Sequence, residues 1–123
     1  MTKPVGPYTP VVRAGDLLFV SGQIGITEGA TNSGPVTETL AEGFAAQAEQ
    51  ALANFRGQVE ANGATLDQVV KVNVFLTDMG NFAAMNEIYC GVFDDPRPAR
   101  ACVAVAALPL GAQFEVDGIV HVG

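Results

Sequence analysis

The sequence has little basic charge, two cysteines, one histidine and no tryptophan. Six Lys+Arg face thirteen Asp+Glu, which leaves a net charge of −7. Nucleic-acid binders neutralise phosphates with clustered basic residues, and no such cluster is present. Nucleic acid is therefore not an expected partner, and neither is an anionic membrane surface. No apolar run reaches the ~18 residues of a membrane span. The opening residues MTKPVGPY lack the apolar core of a secretory signal, so a cytoplasmic location is expected. Cys90 and Cys102 form no CxxC pair and no cluster with His121, the one histidine. A structural zinc site takes four close ligands, so no metal is expected, and the two thiols read as reduced. The GxSxG elbow, the P-loop, GxGxxG and HExxH are all absent.

What is present suits one domain over residues 1–123, with enough chain to bury a core. Apolar residues make up 49% and charged residues 15%, which excludes disorder. So lean a charged fraction also points to surface buried in an oligomer.

Val11–Arg13, the turn Ala14–Asp16 and Leu17–Val20 read as strand, turn, strand, with Ser21–Gly22–Gln23 following. Residues 27–37 form a loop rich in Gly, Ser, Thr and Asn. From Glu38 to about Asn62 the apolar period becomes helical: Leu40, Phe44, Ala48, Ala51, Leu52, Phe55 and Val59 share a face, and Asn62–Gly63 cap it. Val70, Val72, Val74 and Leu76 then alternate as a strand. A second helix over about Asn81–Phe93 carries Phe82, Met85, Ile88, Tyr89 and Val92, and Pro96 and Pro98 lie beyond it. Ala101–Ala107 suits a strand buried on both faces, and about Gln113–Val122 alternates as the last strand. The order ββ–α–β–α–ββ predicts a two-layer α+β domain, a mixed sheet with both helices on one face. The other face then has no cover within the chain and predicts a homo-oligomer.

Arg100 opens an otherwise apolar strand, and arginine is seldom buried without a partner for its fork. Two readings stand. Arg100 pairs with Glu115 or Asp117 of the neighbouring strand, or it anchors an anionic ligand at the end of the sheet.

The chain resembles the RidA (YjgF-like) family of imine deaminases over nearly its whole length. The resemblance is carried by Gly6–Pro7–Tyr8, Ser21–Gly22–Gln23–Ile24, Val70–Val74 with Lys71, Asn81–Phe82 and Met85–Tyr89. It continues in Pro98–Ala99–Arg100, in Ala106–Pro109 and in Phe114–Glu115–Val116. It implies a chorismate-mutase-like fold and a homotrimer with a central barrel and ligand clefts between subunits. It also implies hydrolysis of 2-imino and enamine acids to 2-keto acids and ammonia, without a cofactor.

On that resemblance Arg100 clamps the substrate carboxylate, and the family's last-strand glutamate falls at Asp117, one methylene shorter, to place or polarise water. Glu115 is its neighbour or substitute, or else packs near the strand end. Tyr8 is the pocket tyrosine or an anchor for the N-terminus. Ser21 and Gly22 form the pocket wall, and Asn86 contacts ligand or loop backbone. Cys102 offers its backbone to the ligand, with its thiol as inert packing. Pro10 and Arg97 depart from the family's pattern: Pro10 removes a backbone donor beside Tyr8, and Arg97 adds a cation that faces the cleft or the solvent. A carboxylate-binding regulatory trimer, a pathway-specific deaminase of the same family and a ribonuclease remain alternative functions.

Overall fold

The structure is a computed structural model, and it describes residues 6–27 and 40–123. Five strands form one mixed sheet: β1 Val11–Ala14, β2 Leu17–Gln23, β3 Val69–Leu76, β4 Ala99–Ala104 and β5 Phe114–His121. Their order is β1-β2-β5-β3-β4. All neighbours are antiparallel except β3 and β4. Parallel neighbours need a crossover, and α2 (Phe82–Cys90) supplies it. The longer helix α1 (Phe44–Ala61) packs across β2 and β5.

Alternation in the strands sorts the residues between two layers. Leu18, Val20, Val72, Val74, Leu76, Phe114, Val116 and Val120 are buried against Ala48, Ala51, Leu52, Phe55 and Val59 of α1. Phe55 lies so close to β5 that a Cβ on Gly118 would come 2.7 Å from its ring and 2.9 Å from the Lys71 carbonyl. Among the described residues, no helix lies over the other sheet face. Val12, Phe19 and Val103 lie there, 50%, 41% and 47% exposed. This is the two-layer α+β fold with both helices on one face, as the element order predicts.

Several boundaries differ from the sequence reading. Helix α1 starts at Phe44, because Gly43 sits at φ 85° and Leu40 instead bridges Ile26. The expected helix residues Glu38 and Thr39, and nearly all of the loop expected over 27–37, lie outside the described residues. Strand β2 runs on through Ser21, Gly22 and Gln23. In β3 the irregularity between Val69 and Lys71 buries Val69 and leaves Val70 46% exposed. Helix α2 is shorter than expected, and a 3₁₀ turn at Met79–Asn81 precedes it. Strand β4 is not buried on both faces: it begins at Ala99, forms the sheet edge, and four of its six residues are exposed. A continuous apolar run reads as buried only if both of its faces are covered, and at this edge Ala99, Ala101, Val103 and Ala104 stay exposed.

Candidate functional site

The two strongest candidates, Arg100 and the last-strand carboxylates, lie on opposite faces of the sheet. Arg100 pairs in register with Val72, and Val72 with Gly118, all on the helix side. Glu115 pairs with Phe75, and Asp117 with Asn73, on the uncovered side. The expected structural pairing of Arg100 with Glu115 or Asp117 is therefore absent. Strand β3 separates β4 from β5, and alternation turns the side chains apart.

Arg100 is half-buried beneath α2. Its guanidinium carbon lies 4.8 Å from the ring centroid of Tyr89 and 5.8 Å from that of Phe82. Its Nη1 donates to Met85 Sδ at 3.7 Å. No carboxylate pairs with it among the described residues. A guanidinium held by π faces and a thioether keeps its charge and most of its planar donors for an anion. Phe82, Met85 and Tyr89 appear in the sequence only as a helix stripe. Their spacing of three and four was the available signal, but nothing in it says that the stripe meets β4.

Cys102 shares the helix-side face with Arg100, opposite Val74. Burial pushes its thiol pKa up, and the nearby Arg100 only partly offsets this. The neutral thiol therefore serves as packing rather than as a nucleophile. Asn86 follows Met85 on α2, is half-buried, and makes no side-chain hydrogen bond among the described residues. Arg97 donates to the Phe93 carbonyl and to Asp95, each at 2.9 Å, so its charge is satisfied within its own loop.

A second group forms around a bulge in β2. Val20 faces Gly118 and Gln23 faces Val116, so Ser21 and Gly22 together oppose the single residue Asp117. Bulges re-aim side chains, and this one turns Gly22 toward Glu115. A Cβ on Gly22 would meet Glu115 Oε2 at 2.7 Å. Ser21 Oγ donates to the Thr9 carbonyl at 2.7 Å, and Ser21 N–H donates to the Pro10 carbonyl at 2.9 Å. These bonds tie the segment carrying Tyr8 to the bulge, with Tyr8 itself 41% exposed. Ser21 thus works as an anchor for that segment, with its hydroxyl proton already engaged.

Glu115 is half-buried beside Gly22. Burial raises its pKa first, and the neighbouring Asp117 raises it further. Asp117 Oδ1 accepts a hydrogen bond from Asn73 Nδ2 at 2.9 Å. The sequence reading gave the main part to Asp117. The geometry instead ties Asp117 to a neighbour and presents Glu115 beside Gly22. No group of three or more possible metal ligands occurs among the described residues, and no helix among them is long and apolar enough to cross a membrane.

Comparison with known proteins agrees with this fold. The profile of the endoribonuclease L-PSP family matches residues 1–122. The 2-iminobutanoate/2-iminopropanoate deaminase of Dermatophagoides farinae is 38% identical, over 96% of this chain and 88% of that protein. The crystal structure of RidA from the Antarctic bacterium Psychrobacter sp. superposes with a TM-score of 0.85 at 41% identity, covering 97% of this chain and 91% of that one. E. coli TdcF with bound serine gives 0.84 at 32% identity, covering 96% and 90%. The chain belongs to the RidA-type endoribonuclease L-PSP family.

Proposed function

We propose that the protein hydrolyses 2-imino and enamine acids to 2-keto acids and ammonia. The observation that carries this reading is Arg100, a half-buried guanidinium without an acidic partner among the described residues. A 2-imino acid offers a carboxylate next to its electrophilic carbon, and Arg100 holds that carboxylate bidentately. Water adds to the C=N carbon and a proton goes to nitrogen. The carbinolamine then collapses to the keto acid and releases ammonia. Glu115, rather than Asp117, takes the proton-handling role. Its raised pKa lets it give and accept a proton closer to neutral pH than an ordinary carboxylate does. Gly22 borders it, Tyr8 lies on the segment that Ser21 anchors, and no cofactor takes part.

Arg100 and Glu115 lie on opposite sheet faces, so a complete site takes Arg100 from one copy and Glu115 from another. The uncovered face, with Val12, Phe19 and Val103 exposed, is where copies meet. Three copies is the number that the family resemblance implies. The serine bound to TdcF supports a small amino-acid-like ligand, which also suits a carboxylate-binding protein without turnover. A ribonuclease reading has the family's name behind it but not the charge, which is −7 here.

The test is a coupled assay. An amino-acid oxidase generates 2-imino acids from several side chains, and semicarbazide traps whatever is not hydrolysed. Wild type lowers the trapped product and Arg100→Ala does not. Full activity in Arg100→Ala refutes the anchor. No effect of wild type on any side chain refutes the deaminase and leaves carboxylate binding.

A further inference from the structure

We propose that Tyr89 is a positioning residue for Arg100: the face of its ring fixes the guanidinium in the orientation that receives a substrate carboxylate. The proposal rests on the reading of Arg100 as the carboxylate anchor. An arginine can be oriented by an acidic partner, but that partner occupies the fork and cancels the charge. A ring face attracts the cation through its quadrupole and leaves the N–H edge open. Here the guanidinium carbon lies 4.8 Å from the Tyr89 centroid, with Phe82 at 5.8 Å and Met85 Sδ 3.7 Å from Nη1. Each of these three contacts orients the group, and none carries a formal charge.

Tyr89 is itself well fixed. It is 4% exposed, and its ring lies 4.7 Å from that of Phe93 at 35°. Phe93 in turn meets Phe55 of α1 at 6.3 Å. A row of rings thus runs from the centre of the core to the guanidinium. An exposed arginine loses rotamer freedom when it grips a ligand, and one stacked beforehand has already lost much of it.

The hydroxyl separates this role from plain packing. Tyr89 Oη is buried and has no hydrogen-bond partner among the described residues. An unsatisfied buried hydroxyl is unfavourable, so the oxygen adds nothing to the packing. What the position uses is the electron-rich ring.

The experiment measures 2-oxobutanoate binding by calorimetry, and KM and kcat in the imine assay. It compares wild type, Arg100→Ala, Tyr89→Phe, Tyr89→Leu and a chain carrying 3,4,5-trifluorophenylalanine at position 89. Tyr89→Phe keeps binding within about twofold, because the ring face remains. The trifluorinated ring nearly keeps the shape but loses the negative face, and binding weakens about tenfold. Tyr89→Leu weakens it similarly, with KM raised and kcat nearly unchanged. Trifluorophenylalanine binding as tightly as phenylalanine, while Arg100→Ala abolishes binding, overturns the proposal and leaves the anchor standing. Unchanged binding in Arg100→Ala overturns the anchor and the proposal together. Should Tyr89→Leu fail to fold, the fluorinated series decides alone.

Discussion

Gly22→Ala separates activity from stability at a single methyl group. The new Cβ would lie 2.7 Å from Glu115 Oε2, 2.8 Å from Cδ and 3.3 Å from Cγ. The carboxyl group must retreat by about 0.7 Å or more to restore ordinary contact. It is the end of a flexible side chain, so it can move, at about 0.5–1.5 kcal/mol for an off-rotamer torsion. Gly22 is not among the glycines with positive φ, so alanine brings no backbone strain. Catalysis is less tolerant, since a misplacement near 1 Å costs up to about a hundredfold. The expected result is a loss of kcat of roughly ten- to a hundredfold, with the unfolding midpoint lowered by only a few degrees. The coupled imine assay and a thermal melt read the two quantities on one preparation. In the double variant with Glu115→Ala the methyl's stability cost disappears, because the carboxyl group it would meet is gone. Undiminished turnover in Gly22→Ala would refute the placement of Glu115 in the site.

Three further outcomes follow from the same geometry. Gly118→Ala drives a methyl against the Phe55 ring and the Lys71 carbonyl, at 2.7 and 2.9 Å, where backbone and core cannot retreat. We expect a loss of about 1–3 kcal/mol by urea unfolding, and a neutral variant would contradict the packing of α1 on β5. Burial and Asp117 raise the pKa of Glu115, so the folded state keeps this proton to higher pH than the unfolded chain. Between the ordinary carboxylate pKa and the raised one the native state binds more protons, and stability falls as pH rises through that window. Glu115→Gln removes this contribution, and parallel stability curves for the two proteins from about pH 4 to pH 7 would show that Glu115 is unperturbed. Asp117→Asn removes the like charge and moves the Glu115-dependent limb of the pH–rate profile to lower pH; an unmoved limb means the two carboxylates do not interact.

Element order, the face of α1 and the alternation of β5 were all legible in the sequence, because periods of 3.6 and 2 are local signals. The Asn62–Gly63 cap was legible too: Asn62 closes α1 and Gly63 sits at φ 81°. Sheet order was not. The run Ala99–Ala104 looks the same whether it lies at the centre or at the edge, and only tertiary pairing puts it at the edge beside β3. That one placement decided the partners of Arg100, which are aromatic rings and a thioether rather than a carboxylate. The bulge was equally hidden. Ser21–Gly22 reads as a segment that follows a strand, whereas here the strand continues and the extra residue aims Gly22 at Glu115. The choice between Glu115 and Asp117 depended on it, since two carboxylates two residues apart share a face and differ only in their neighbours.

The opposite placement of Arg100 and Glu115 makes the shared site testable without a structure of the assembly. Arg100→Ala and Glu115→Gln each remove one half of every site. If both halves came from one chain, a mixture of the two variants would stay as inactive as either alone. If each site joins two copies, some sites in a mixed oligomer receive Arg100 from the Glu115→Gln chain and Glu115 from the Arg100→Ala chain. With equal amounts and random assembly about a quarter of the sites are intact, whatever the closed ring size. Unfolding and refolding the two variants together should therefore restore roughly a quarter of wild-type activity, while mixing them without exchange restores none. The exposed residues Val12, Phe19 and Val103 supply the apolar area for such a contact. A co-refolded mixture that stays inactive, although wild type refolds to full activity, would mean that Arg100 and Glu115 do not act in one shared site.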